Sequence, residues 1–297
     1  MSTGKEIKLK IGTISNIRKI TKTMEMVSVS KMKKMVGKAL ASKEYATKAL
    51  QLLANLSLER DIKHPLLEYG KGDKNLLVIF ASNKGLCGGF NINISKKLTE
   101  ITKQSKRTLE VITVGRQAER AARRNNLTII ASFIDFNEKT GSNDLFDLKQ
   151  IILDQMVSDA YHEVWMLYTE FKSAISYTPV NYQILPPNIE TLKHLFVGED
   201  RVERFEHKLK SLSRYMIEPS PEEVVEQIVP KLLHASLYHA HLESQAGEHS
   251  ARMFAMKNAS DNAGSIVEDL TLKYNKARQA AITQEISEIV GGAEALN

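Results

Sequence analysis

Residues 259–296 read ASDNAGSIVEDLTLKYNKARQAAITQEISEIVGGAEAL. Within them Ala263, Val267, Leu270, Tyr274, Ala277 and Ala281 step by 4, 3, 4, 3 and 4, and Ile282, Ile286, Ile289, Ala293 and Leu296 repeat the rhythm displaced by one residue. That is a heptad seam with a phase shift, the pattern of a helix that packs lengthwise on another helix. At the other end of the chain Ile17, Ile20, Met24 and Val27 step by 3, 4 and 3, with Ile7, Ile11 and Ile14 before them and Met32, Met35, Leu40, Leu50, Leu53 and Leu56 after. This second pattern is helical but drifts. All seven prolines lie between 65 and 230, so both ends lack the residue that most strongly breaks helices. Helices of roughly 55 and roughly 65 residues would run about 80 and about 100 Å. Nothing else in the chain can cover them, so the expectation is a long antiparallel coiled coil of an N-terminal helix, 1–60, and a C-terminal helix, 230–297.

The middle has a different period. NLLVIFAS (75–82), LEVITVG (109–115), LTIIASFI (127–134) and EVWMLYTEF (163–171) are apolar or β-branched runs, separated by helical stretches near 89–105, 116–125 and 145–160. Strands alternating with helices predict a parallel sheet in an α/β domain over 75–196. VNYQILP (180–186) reads as a last strand, antiparallel or at an edge because prolines bracket it. Residues 197–229 read as the connection into the last helix, with Pro230 tolerable only near that helix's start.

Of 297 residues, 42% are hydrophobic and 26% charged, and Cys87 is the single cysteine. An internal disulfide and a cysteine-built zinc site are thereby excluded. No apolar run is long enough to span a bilayer and no signal-peptide pattern opens the sequence, so an intracellular, non-spanning protein is expected. Net charge is +6, yet residues 1–48 hold twelve Lys or Arg against three acids, a balance of +9 that leaves −3 for the rest. The N-terminal segment therefore calls for an acidic partner.

Candidate chemistry is sparse. The turn ASNKGLCGGFN (81–91) follows a strand and precedes a helix, where a phosphate loop would sit, but it matches neither common phosphate-loop spacing. The competing reading is a tight turn that Gly85, Gly88 and Gly89 permit. His234, His239, His241 and His249 share one helix without a convergent third ligand, which favours a solvated or partner-facing surface over a metal site. Cys87 has no histidine partner nearby and reads as a core thiol.

In TKTMEMVSVSKMKKM (21–35), Lys22, Lys31, Lys33 and Lys34 spread around the helix, which argues against a flat membrane-surface helix. Residues 1–44 contain no Phe, Tyr or Trp to stack on bases, which weakens a nucleic-acid reading. Adaptable methionines with positive charge on all sides suit a helix enclosed by protein. A methionine-filled seam with solvated lysines remains the alternative.

MEMVSVSKMKKM near the start, GLCGGFN after the first strand, and RMFAMKNASDNAGSIVEDL with YNKARQAAITQEISEIVGGAEAL at the end together resemble the gamma subunit of F-type ATP synthases, over essentially the whole chain. The resemblance implies a central rotor shaft: terminal helices forming an antiparallel coiled coil inside a ring of alpha and beta subunits, and a Rossmann-like α/β middle domain meeting the epsilon subunit and the c-ring. It implies one copy per complex, no cofactor, metal or nucleic acid, no bond chemistry in this chain, and a peripheral place on the cytoplasmic face of a bacterial inner membrane. By the same resemblance Met24, with Lys22 and Lys31 beside it, faces acidic loops of the beta subunits. Arg278 and Gln279 meet a beta catch loop, and Arg252 heads a segment coupled to the Met24 region. Asn83-Lys84 stands where the family often has Asp-Arg. The cysteine-bearing insertion of chloroplast members is missing, so thiol control is not expected.

Overall fold

A computed structural model describes residues 4–59, 64–197, 205, 218 and 220–294. The described chain divides into two units, residues 1–29 with 252–297, and residues 30–251. Helix α1, Gly4–Glu59, and the last helix, Pro221–Glu294, each contribute to both. At 56 and 74 residues they run about 84 and about 111 Å.

The 30–251 unit is built on a five-stranded sheet. Strands β1 (Lys74–Phe80), β2 (Thr108–Val114), β3 (Thr128–Phe133), β4 (Tyr161–Ser173) and β5 (Ser176–Leu185) lie in the order β3-β2-β1-β4-β5. The first four are parallel; β5 is both antiparallel and at the edge, where Pro179 costs no central ladder bond. The crossovers are α2 (Phe90–Gln104), α3 (Arg116–Arg124) and α4 (Phe146–Val157), and α5 (Ile189–Phe196) follows the sheet. β4 and β5 extend beyond the expected runs because they pair as a hairpin closing at Ser173 and Ser176.

Each sheet face has its own core. On one, Ile94 and Leu98 of α2 and Ala118, Ala121 and Ala122 of α3 close over Leu77, Ile79 and Val111. On the other, Leu76, Val78 and Phe80 pack in one cluster with Leu148 and Ile152 of α4, Leu50 and Leu53 of α1, and Val225, Leu232 and Leu237 of the last helix, hereafter α6. Gly115 opens α3 at φ +96, and a Cβ there would lie 2.2 Å from the Ala81 carbonyl oxygen. Only glycine fits where β1 and β2 end side by side.

The last helix starts at Pro221 instead of 230. Pro221 takes the first helical position, and Ser220 Oγ accepts the Glu223 N–H at 3.2 Å. Ser220-Pro221-Glu222-Glu223 thus carries a sequence signature of a helix N-terminus. Pro230 lies inside the helix. It removes a hydrogen bond to the Glu226 carbonyl, but Glu226 and Gln227 are on the exposed side while Val225, Ile228, Val229, Leu232 and Leu233 hold the buried side. Most of the expected connection, 198–204, 206–217 and 219, lies outside the described residues, as does Leu296.

In the other unit α1 and α6 run antiparallel. A Cβ on Gly4 would sit 4.0 Å from the Tyr274 ring, and one on Gly264 would sit 3.3 Å from the Arg18 guanidinium carbon. Ala263, Val267, Leu270, Tyr274 and Ala277 turn inward as expected. On α1 the seam differs from expectation. Ile7, Thr21 and Ser28 are buried and Ile11, Ile14 and Glu25 half-buried, whereas Ile17, Ile20 and Val27 are 48%, 60% and 47% exposed. The row that begins at Ile7, Ile11 and Ile14 continues by heptad spacing through Arg18, Thr21, Glu25 and Ser28. The Ile17–Val27 row is displaced from it by one residue, about 100° around the helix. From Arg278 to Gly291 every residue is exposed, beyond the point where Gly4, the first described residue of α1, lies opposite Tyr274.

Candidate partner-binding surface

In a parallel α/β sheet of this order, a ligand would enter where the strand order reverses, outside the carboxyl ends of β1 and β4. Here that crevice is filled by α6. β1 pairs with β4 only as far as Leu167; two residues on, the Thr169 N–H donates to Ser244 Oγ at 3.1 Å. Gly247 lies against β4 and α2, since a Cβ there would be 3.0 Å from Thr169 Cγ2 and 3.5 Å from Phe90 Cε2. Ser250 Oγ donates to the Ala174 carbonyl in the β4–β5 turn. Residues 240–251 of α6 are all buried. A phosphate could enter this crevice only by displacing the helix, although Lys84, Gly85, Leu86, Gly88 and Gly89 of the 81–91 turn are themselves exposed.

The turn itself is cross-tied. Asn83 donates through Nδ2 to the Phe136 carbonyl at 2.7 Å and accepts the Arg116 N–H on Oδ1 at 3.0 Å. An aspartate could make the second bond but not the first, which is a physical reason for asparagine at this position. Cys87 is 2% exposed, and its Sγ accepts from Asn91 Nδ2 at 3.1 Å. The thiol is a packed turn residue.

The histidines correct the expectation of a solvated or partner-facing surface. His239, His241 and His249 are 1%, 2% and 4% exposed. In the crevice that the helix fills, His241 meets a backbone carbonyl and His239 a buried carboxylate. His241 Nε2 lies 3.2 Å from the Asn137 carbonyl, and burial pushes its pKa down to about 4. His239 Nε2 is 3.0 Å and Lys43 Nζ 3.7 Å from Glu243 Oε1. Burial opposes ionisation of Glu243, but His239 and Lys43 outweigh it and hold the carboxyl below its ordinary range. Burial also drives the Tyr168 hydroxyl well above its usual value, with Glu243 adding to the effect. Among the described residues no group of three His, Cys, Asp or Glu is placed to hold a metal.

The residues singled out from the sequence fall into two groups. Lys31 is tied down within the 30–251 unit by a 2.5 Å ion pair with Glu138. Burial works upward on Glu138, yet the Lys31 hydrogen bond, a backbone hydrogen bond and the nearby charges of Lys31 and His249 bring it down to about 2. Lys22 is exposed and pairs along the helix with Glu25 at 3.0 Å. Met24 is half-buried beside the outward row of Ile17, Ile20 and Val27. Arg252 is 8% exposed, while Arg278 and Gln279 are open. Sequence reasoning had no signal for the Lys31–Glu138 pair, whose members are 107 positions apart.

The arm thus exposes apolar residues on both helices: Ile17, Ile20 and Val27 on the outward side of α1, and Ile282, Ile286 and Ile289, at 48%, 57% and 72% exposure, in the stretch of α6 that is exposed all round. Among the described residues no helix is long and apolar enough to cross a membrane.

Comparison with known proteins follows the whole chain. A family model described as ATP synthase matches residues 3–296. The chain is 35% identical over 297 residues to the ATP synthase gamma chain of Desulfitobacterium hafniense, covering 100% of both. It is 36% identical over 300 residues to that of Nitrosococcus oceani, again over 100% of both. Among solved structures it matches a chain of the Euglena gracilis mitochondrial ATP synthase with a TM-score of 0.65 at 19% identity, over 99% of this chain and 94% of that one. It also matches one from the central stalk and c-ring of the Tetrahymena thermophila mitochondrial enzyme, with a TM-score of 0.57 at 24% identity over 81% and 99%.

Proposed function

Because the chain belongs to the ATP synthase gamma-chain family, we propose that its two-helix arm turns inside a ring of catalytic subunits, coupling ion flow through the membrane sector to ATP synthesis or hydrolysis. The observation that carries this reading is the exposed apolar row on each helix of the arm. Exposed rows on a slender two-helix arm need cover from protein on several sides, and a surrounding ring supplies it.

The physics of coupling follows. An arm without rotational symmetry touches each member of a ring of like subunits differently, so its angle selects which catalytic site is favoured. A differential contact energy of about 3 kcal/mol changes a site's affinity by about a hundredfold. In this reading the chain itself makes and breaks no bonds. Alpha and beta subunits surround the arm, with Met24 and Lys22 toward acidic beta loops, Arg278 and Gln279 toward a beta catch loop, and Arg252 linking the two helices' responses. Lys31 anchors α1 to the α/β unit through Glu138. The α/β unit meets epsilon and the c-ring, in one copy per complex, on the cytoplasmic face of a bacterial inner membrane.

Co-expression with alpha, beta and epsilon subunits and isolation from membranes tests the proposal. Ile20→Asp with Val27→Asp places two charges where the ring should press. Wild type is expected to co-purify and to pump protons on ATP addition, and the double variant to lose assembly or pumping. Full assembly with wild-type pumping per ATP hydrolysed would remove the arm from the rotor contact.

A further inference from the structure

The α/β unit carries a charge concentration of its own, away from the N-terminal segment. α2 and α3 pack on the same face of the sheet, and Thr99 Oγ1 of α2 donates to Asn125 Oδ1 at the end of α3 at 2.9 Å. Their outward sides therefore look the same way. Those sides hold Lys96, Lys103, Arg116, Arg120, Arg123 and Arg124, all exposed. The two helices together contain seven basic and two acidic residues, and both acids are engaged within their own helices, Glu100 by Lys97 at 2.9 Å and Glu119 by Arg123 at 2.6 Å. This concentration lies within residues 49–297, whose overall balance is −3.

We propose that the α2–α3 face docks on the anionic headgroups of the membrane that holds the complex, an inference resting on the reading of this chain as part of a membrane-bound ATP synthase. Three observations favour lipid over a protein or nucleic-acid partner. Stable protein interfaces are organised around a desolvated apolar centre, but here the apolar residues of both helices point into the core, leaving Ile92 at the start of α2 as their one large exposed apolar side chain among the described residues. No aromatic side chain stands among the basic ones to stack on bases. Among the described residues, moreover, no helix is long and apolar enough to cross the bilayer, so a contact of this face with lipid is made at the membrane surface, through charge. Fluid headgroups also suit a turning body. Individual lipids exchange as the face sweeps past, so attraction persists at every angle without a fixed partner to break from.

The test uses the assembled catalytic sector containing this chain, sedimented with vesicles of phosphatidylcholine alone or with about one-third phosphatidylglycerol, the anionic fraction being chosen to give a surface potential of physiological size. Arg120→Glu, Arg123→Glu and Arg124→Glu together are compared with wild type and with a control, Lys172→Glu with Lys231→Glu. Wild type and control should bind the anionic vesicles in a salt-sensitive way, and the triple variant about tenfold or more weakly, with ATP hydrolysis by the soluble sector unchanged. Equal binding to both vesicle types by wild type overturns the proposal, as does equal loss in the control. Release of another subunit from the triple variant with vesicle binding intact also overturns it and makes the face a protein interface. Failure of the wild-type chain to co-assemble at all tells instead against the rotor reading.

Discussion

The α/β unit and the helical arm solve the problem of burial in opposite ways. In the α/β unit Leu76, Leu77, Val78, Ile79, Val111 and Ile112 are all at 0% exposure, and His241, Ser244 and Ser250 of α6 find hydrogen-bond partners there. In the arm the inward row, apolar at Ile7, Ile11 and Ile14, continues at polar positions 18, 21, 25 and 28, while Ile17, Ile20 and Val27 face out. One region closes a core of its own. The other leaves its apolar surface for something outside the chain, so its pattern records a partner and not a core.

The comparison breaks most readily at a core leucine. Leu77→Ala removes a fully buried side chain and should cost about 3–4 kcal/mol, whereas Ile20→Ala should change the free chain by about 0.5 kcal/mol or less. Denaturant melts of the two variants check this; similar losses would mean that the arm is packed as tightly as the sheet.

The next effect is in pH. Folded His241 binds a proton only below about 4, while in the unfolded chain it does so near 6.5, so between these values the unfolded state holds the extra proton. Stability should therefore fall as pH drops from 6.5 toward 4, by about 3 kcal/mol at most. His241→Gln should flatten that window in acid unfolding followed by circular dichroism. Glu138 acts lower and in the familiar carboxylate direction: its contribution is present above the ordinary value of 4.5 and is lost as pH falls toward about 2. Glu138→Gln should leave the slope between pH 6.5 and about 5.5 unchanged and flatten the fall below it.

Ser244→Ala strands the Thr169 N–H in a buried crevice. A loss of about 1–3 kcal/mol is expected, with faster hydrogen exchange at Thr169 as the local signature. An unchanged exchange rate would show that another acceptor takes over.

The smallest contrast uses one substitution twice on one helix. Gly247→Ala presses a Cβ to 3.0 Å from the Thr169 side chain, whereas Gly264→Ala meets only the movable end of Arg18 at 3.3 Å. Both gain about 1 kcal/mol of helix propensity. Gly247→Ala should still be destabilising by about 1 kcal/mol through overpacking, and Gly264→Ala neutral or slightly stabilising. Thermal melts that rank them the other way would reverse the assignment of rigid and yielding neighbours.

Sequence patterns located the four parallel strands and their crossover helices within a few residues, because a buried strand must be apolar along its length and Gly115 or the 85–89 turn must punctuate it. The same logic misplaced the seam of α1. Ile17, Ile20, Met24 and Val27 are apolar at helical spacing, but periodicity identifies a face that needs cover without saying what covers it. Pro230 misled in a different way. Its intrinsic cost points to a helix start, whereas Ser220 and Glu223 carry the stronger signal and an exposed flank makes the proline tolerable. The buried histidines were hidden for a third reason: nothing in residues 234–249 reveals that this stretch of helix lies in the crevice of a sheet.

That crevice has a kinetic consequence. A molecule held in such a place by non-covalent contacts alone departs at a rate set by its affinity and returns at one set by its concentration. Here the occupant is residues 240–251 of the same chain, tethered on both sides within one 74-residue helix. Dissociation followed by diffusion away is not an available event, and a contact pulled open finds its partner again at once, whatever the concentration of anything else. Under load, the joint between helix and sheet has a recovery time but no lifetime.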